Sequence, residues 1–97
     1  MFMRAVHPGE VLKDELDELD VTPTEFARQI DVPPNRITSI IADENPRAVT
    51  SDTALRLARY FATAPELWLN LQQAYDLSVA RAENGARIND AVRPRAA

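Results

Sequence analysis

The stretch over residues 22–43, TPTEFARQIDVPPNRITSIIAD, most narrows what this chain can become. Proline lacks an N–H and is accepted in the first turn of a helix but not in its interior. Pro23 directly follows Thr22, a residue that can cap a helix, and Pro33-Pro34 follow the apolar Val32. The spacing therefore predicts one short helix opened at Thr22 and ended by Asp31, a turn plugged by Val32, and a second helix restarted at Pro33-Pro34. Phe26, Ala27 and Ile30 fall on one face of the first helix, and Ile37, Ile40 and Ile41 on one face of the second. At about a hundred degrees per residue, Asn35, Ser39 and Ala42 point away from those isoleucines, with Thr38 and Arg36 on the flanks. Two buried stripes, a tight turn and a small residue, Ala27, at the crossing predict a helix-turn-helix whose second member presents short polar side chains outward.

The flanks supply three more helices. His7-Pro8-Gly9 signals a turn before a helix over residues 10–19, with Leu12, Leu16 and Leu19 as its inner stripe. His7, the single histidine, has no companion for metal binding or proton transfer and is expected to be structural or a cap. On the outer face Glu10, Asp14 and Glu18 stack at four-residue spacing, joined by Asp17 and Glu15 and partly offset by Lys13. Such a like-charge column costs roughly 0.2–0.5 kcal/mol per pair in an isolated helix. It reads either as a solvated face or as a dock for a basic partner.

Residues 43–49 form a loop in which Arg47 is the one cation. Thr50 caps a fourth helix, Val49 and Ala54 make a staple across its start, and Asp52 lies in its first turn, where the helix dipole favours an acid. Ala54, Leu57, Ala58 and Phe61 are its expected buried stripe, with Arg56 and Arg59 facing solvent. Thr63-Ala64-Pro65 open a last helix to about residue 82. It is apolar on two sides: Leu67, Trp68, Leu71, Ala74 and Tyr75 on one, Leu69, Gln73, Leu77 and Ala80 on the other. A helix of that kind is sandwiched or paired. In so short a chain the second layer points to a homodimer with Leu69, Gln73, Leu77 and Ala80 at its seam, unless Leu69 and Leu77 are simply exposed singly. Residues 83–97, with Gly85 and Pro94, are expected to be a flexible tail carrying at most another helical turn around 88–92. The division is thus a domain over 1–82 and a tail over 83–97. With no strand of any length, the fold class is all-α.

Composition excludes several roles. The 97 residues include no cysteine, so neither a disulfide framework nor a thiolate metal site is available. No run approaches the roughly twenty apolar residues of a membrane span and no signal-peptide core is present, which makes a cytoplasmic protein the default. With one histidine and carboxylates spread along helix faces, no catalytic constellation, metal site or cofactor is expected. A net charge of −4 runs against generic nucleic-acid binding. Residues 1–20, however, hold six acids against two bases, whereas 21–60 hold five of each and 61–97 four of each. The excess is confined to the chain's first fifth, and a locally cationic surface elsewhere is allowed.

Residues 22–43 resemble the helix-turn-helix of the Cro/repressor-like (XRE) superfamily. With the flanking HPGEVL, ITSIIAD, VTSDTALRLARYF and PELWLNLQQAYDL, the chain over about residues 7–80 is similar to the HigA-type antitoxins, also called virulence-associated protein I. Asp31 stands where the family usually has glycine at the turn, and Asp43-Glu44-Asn45-Pro46-Arg47 stand where a basic loop often follows the recognition helix. The resemblance implies a five-helix, lambda-repressor-like fold. It also implies an antitoxin of a type II toxin–antitoxin system that represses its own operon and neutralises a HigB-type toxin, a small basic ribonuclease. A homodimer would set two recognition helices about 34 Å apart on an operator inverted repeat of double-stranded DNA. Thr24, Arg28, Arg36 and Arg47 would then contact phosphates, while Asn35, Thr38 and Ser39, with Arg36 as a further candidate, would read bases. Glu10, Asp14, Asp17 and Glu18 would face the toxin. The alternatives are a solitary XRE-type regulator without a toxin and an interaction module that has lost DNA binding.

Overall fold

The computed structural model describes residues 5–96; the first four residues of the lead-in and the last of the tail lie outside them. Local chemistry accounts for where each helix starts. His7 adopts extended backbone and its Nδ1 accepts from the Gly9 N–H at 2.9 Å, so it is the cap of α1 (Pro8–Leu19). Pro8 and Gly9, read as a turn, are in fact the first turn of that helix. A side chain on Gly9 would stand 2.0 Å from the Ile40 carbonyl oxygen. The glycine is what lets α1 begin against the end of α3.

Asp20, in the left-handed region at φ 56°, ends α1. Thr22 caps α2 (Pro23–Gln29) by accepting from the Glu25 N–H at 3.2 Å. In the turn that follows, Asp31 carries φ 60°, the conformation for which glycine is preferred and to which aspartate is among the better-adapted alternatives. Pro33 leads into α3 (Pro34–Ile40) without a side-chain cap. Thr50 caps α4 (Ser51–Phe61), which a left-handed Ala62 terminates, and Pro65 opens α5 (Pro65–Ala91). No strand occurs among the described residues.

The core gathers one stripe from each helix: Leu12 and Leu16, Phe26 and Ala27, Ile37 and Ile40, Ala54 and Leu57, and Trp68, closed by Ile30, Val32 and Val49 from the turns. α2 packs on α3, while α4 and α1 pack on α5. Phe26 lies edge-on to Tyr60 with ring centroids 4.9 Å apart, and Phe61 bridges Phe26 and Trp68 at 5.8 Å each.

Three expectations are corrected. Leu19 is 49% exposed rather than part of the inner stripe, because α1 ends at that residue and its last turn overshoots the core. On α5 the buried face is centred on Trp68 and Gln72; Leu67 and Ala74 are exposed, and Leu69 packs against the core instead of standing on the outer side. Gln72 was missed because it is polar. Its Oε1 accepts from the Val49 N–H at 2.8 Å and its Nε2 donates to Asp76 at 2.9 Å, so its burial is satisfied at both ends.

The third correction is the length of α5, which continues to Ala91 rather than stopping near residue 82. Gly85, expected in the flexible tail, does not have positive φ and sits within the helix. An interior glycine costs only about 1 kcal/mol relative to alanine, and Ala80, Arg81, Ala82, Glu83, Ala86 and Arg87 around it are strong helix formers. Nearly all side chains beyond Asn84 are exposed. The extension is a solvent-facing arm.

Candidate nucleic-acid interface

The outer side of α3 is where short polar side chains meet solvent. Asn35 and Thr38 are exposed and Ser39 is half-buried, over Ile37 and Ile40 in the core. Ser39 Oγ donates to the Asn35 carbonyl at 2.5 Å and Thr38 Oγ1 to the same oxygen at 3.4 Å. Both hydroxyls keep lone pairs for a partner, and the Asn35 amide keeps its full donor and acceptor set. Because α3 ends at Ile40, Ala42 falls beyond the helix, where the sequence had placed it on the outer face.

The expected phosphate contacts around this face differ in freedom. Thr24 is exposed in the first turn of α2. Arg28 is ion-paired to Glu25 on the same helix. Arg36 donates to Asp52 of α4 at 3.0 Å. Arg47 is exposed and its side chain has no partner among the described residues, while its backbone N–H donates to the Ser39 carbonyl at 2.9 Å and ties the loop to the end of α3. That loop also carries exposed Asp43 and Glu44.

Two residues outside the expected site bear on it. Arg56, expected to face solvent, donates to the carbonyls of Ile30 and Asp31 at 2.9 and 3.1 Å, and its Nε donates to Asp52 at 2.9 Å. The Arg56 hydrogen bond, then the charges of Arg56 and Arg36, outweigh desolvation and hold the Asp52 carboxyl below its ordinary range. The four-residue spacing of Asp52 and Arg56 could have suggested their pairing; the reach of Arg36 across sixteen residues could not.

The other expected surfaces lie apart from α3. Asp14, Asp17 and Glu18 are exposed on α1, with Lys13 3.9 Å from Asp17. Glu10, also exposed, borders a small cavity of about 140 Å³ with Ala42 and Asp43, so the head of the acidic column adjoins the end of α3. On α5, Gln73, Leu77 and Ala80 are exposed. Among the described residues no acid–histidine cluster suits a metal ion and no helix is long and apolar enough to cross a membrane.

No protein-family model matches the chain. Individual relatives do. Virulence-associated protein I of Dichelobacter nodosus is 44% identical over 79 residues, which span 80% of this chain and 71% of that protein. The structure of an addiction module antidote protein of the HigA family from Coxiella burnetii is 46% identical, with a TM-score of 0.89 over 96% of this chain and 100% of the other. Antitoxin HigA of Pseudomonas aeruginosa, solved with the higBA promoter, is 39% identical, with a TM-score of 0.89 and the same coverage. The chain belongs to the HigA-type antitoxins, the group of virulence-associated protein I, within the Cro/repressor-like helix-turn-helix superfamily.

Proposed function

We propose that this protein is the antitoxin and autorepressor of a type II toxin–antitoxin operon, working in the cytoplasm as a homodimer on an operator inverted repeat, without catalysis or cofactor. The observation that carries the reading is the exposed polar face of α3, backed by buried isoleucines, in a chain 39% identical to an antitoxin solved with promoter DNA. Asn35 has the donor–acceptor pair that fits the edge of adenine, and one good bidentate contact discriminates by about 1–3 kcal/mol. Arg47 and Thr24 are the accessible phosphate contacts, while Arg28 and Arg36 must share their donors with carboxylates. With about three or four phosphates per subunit, a dimer would bind with a salt slope of roughly −5 to −7, modest for a repressor.

The toxin is proposed to dock on the acidic face of α1, through Asp14, Asp17 and Glu18 with Glu10 at its head. A basic ribonuclease of the HigB type is the complementary partner.

Retardation of the gene's own promoter fragment in a gel, with and without the product of the neighbouring open reading frame, tests both halves. The wild type should retain the fragment, Asn35→Ala should lose at least about tenfold in affinity, and both should still bind the toxin. A wild type that leaves the promoter free would instead favour an interaction module. The acids at 43 and 44 are the feature that reading would rest on.

A further inference from the structure

Three segments are linked through one carboxylate and the arginine beside it. Asp52, in the first turn of α4, accepts through the single atom Oδ2 from Arg36 Nη1 of α3 at 3.0 Å and from Arg56 Nε at 2.9 Å. Arg56 Nη1 continues the chain of bonds to the carbonyls of Ile30 and Asp31, at the end of α2 and in the turn. The polar link therefore runs from α3 through α4 to the segment between α2 and α3.

We infer that Asp52 is a positioning residue for operator binding: it fixes the pose of α3 and the plane in which Arg36 offers its remaining donors to a DNA phosphate. The inference rests on the operator-binding reading above. α3 is seven residues long and lacks a side-chain cap, and a helix so short depends on its surroundings for order. Isoleucines behind it supply burial, but apolar contact is non-directional. The Arg36–Asp52 bond is the directional hold at its first turn.

A guanidinium has five N–H donors in a rigid plane, so one bond to Asp52 orients the group and leaves the others free. The Arg36 side chain is only 28% exposed, against 75% for Arg28. Nor does the acid make the spot repel DNA. Asp52 and the nearby Asp31 balance the two guanidinium groups, so the spot is neutral rather than anionic. The paired arginines hold the Asp52 carboxyl below its ordinary range.

Fluorescence anisotropy with the operator and with a scrambled duplex, for the wild type, Asp52→Asn, Arg36→Ala and the double variant, tests this alongside hydrogen exchange of the free proteins. Asp52→Asn should weaken operator binding about tenfold and leave the scrambled duplex bound as well or better, so that the ratio of the two falls. In the Arg36→Ala background the same change should cost clearly less than in the wild type, since only the Arg56 branch is left to lose. Without DNA, Asp52→Asn should speed exchange of the α3 amides and spare those of α5 and of α4 beyond its first turns. Three results overturn the inference. These are equal gains on both duplexes, as for a carboxylate that only competes with phosphate; additive losses in the double variant; and unaltered α3 exchange. A wild type that ignores its own operator sinks the underlying reading. That result is distinct from a wild type and an Asp52→Asn variant that bind alike, which removes only the role of Asp52.

Discussion

At the scale of single residues, the start of α1 is the densest piece of chemistry. His7 is 3% exposed; its Nδ1 caps the helix by accepting a hydrogen bond, which requires the neutral ring, and its Nε2 has no partner among the described residues. Burial lowers its pKa from 6.5, and the nearby carboxylates of Asp76 and Glu10 offset only part of the shift. The ring of Tyr75 packs against His7 in a T-shaped contact, with centroids 4.8 Å apart. A depressed histidine contributes no penalty above its unfolded pKa. As the pH falls through that value the unfolded chain takes up a proton first, and stability drops until the folded pKa is reached. The wild type should therefore lose more stability than His7→Asn between about pH 7.5 and 5.5, because asparagine also caps but does not titrate. Urea midpoints at the two pH values measure it, and equal losses would place the acid sensitivity elsewhere. The structural role of His7 was legible, since a lone histidine before Pro-Gly has no chemical companion. The demand on Gly9 was not, because the Ile40 carbonyl that leaves no room for a side chain comes thirty-one residues later.

At the scale of helices, starts were easier to read than ends or faces. A start is written locally, in Thr22-Pro23, Pro33-Pro34, Thr50 and Pro65, each beside the group it caps or frees. An end depends on what outweighs a breaker: a left-handed Asp20 and Ala62 close α1 and α4, whereas Gly85 fails to close α5. Faces depend on partners distant in sequence. Gln72 carries no signal in the sequence, yet it satisfies the N–H of Val49, twenty-three residues away and 4% exposed. Gln72→Leu should therefore destabilise the protein despite its added apolar surface, since a buried N–H without an acceptor costs about 1–3 kcal/mol. For a chain of this size each kcal/mol lowers the thermal midpoint by about 4–8 °C. An unchanged melting curve would mean that water reaches Val49 and that Gln72 does not join α5 to the loop before α4.

At the scale of the whole molecule, what remains is how the proposed repressor would be assembled. α5 has 27 residues and is therefore about 40 Å long, but only its first half lies over the core. Leu67 and Leu77 are each 47% exposed and Ile88 49%, with Ala74 between the two leucines and Gln73 and Ala80 alongside. This line was half legible. The sequence indicated a second apolar side but assigned Leu67 and Leu69 to the wrong sides, because a two-sided helix cannot reveal from periodicity which side its own core takes. We propose that the outer line pairs with its symmetry mate, since a two-fold seam along α5 buries both copies at once and can hold two α3 helices at the spacing of one DNA turn. Leu77→Glu should then convert the dimer to a monomer that remains folded, as Leu77 lies outside the core cluster. Because each monomer could grip only one half-site, operator affinity should fall by more than about tenfold through lost effective concentration alone. Sedimentation equilibrium gives the mass and anisotropy gives the affinity. A variant that stays dimeric would move the seam to another surface. One that becomes monomeric yet binds the full operator undiminished would break the link between pairing and recognition.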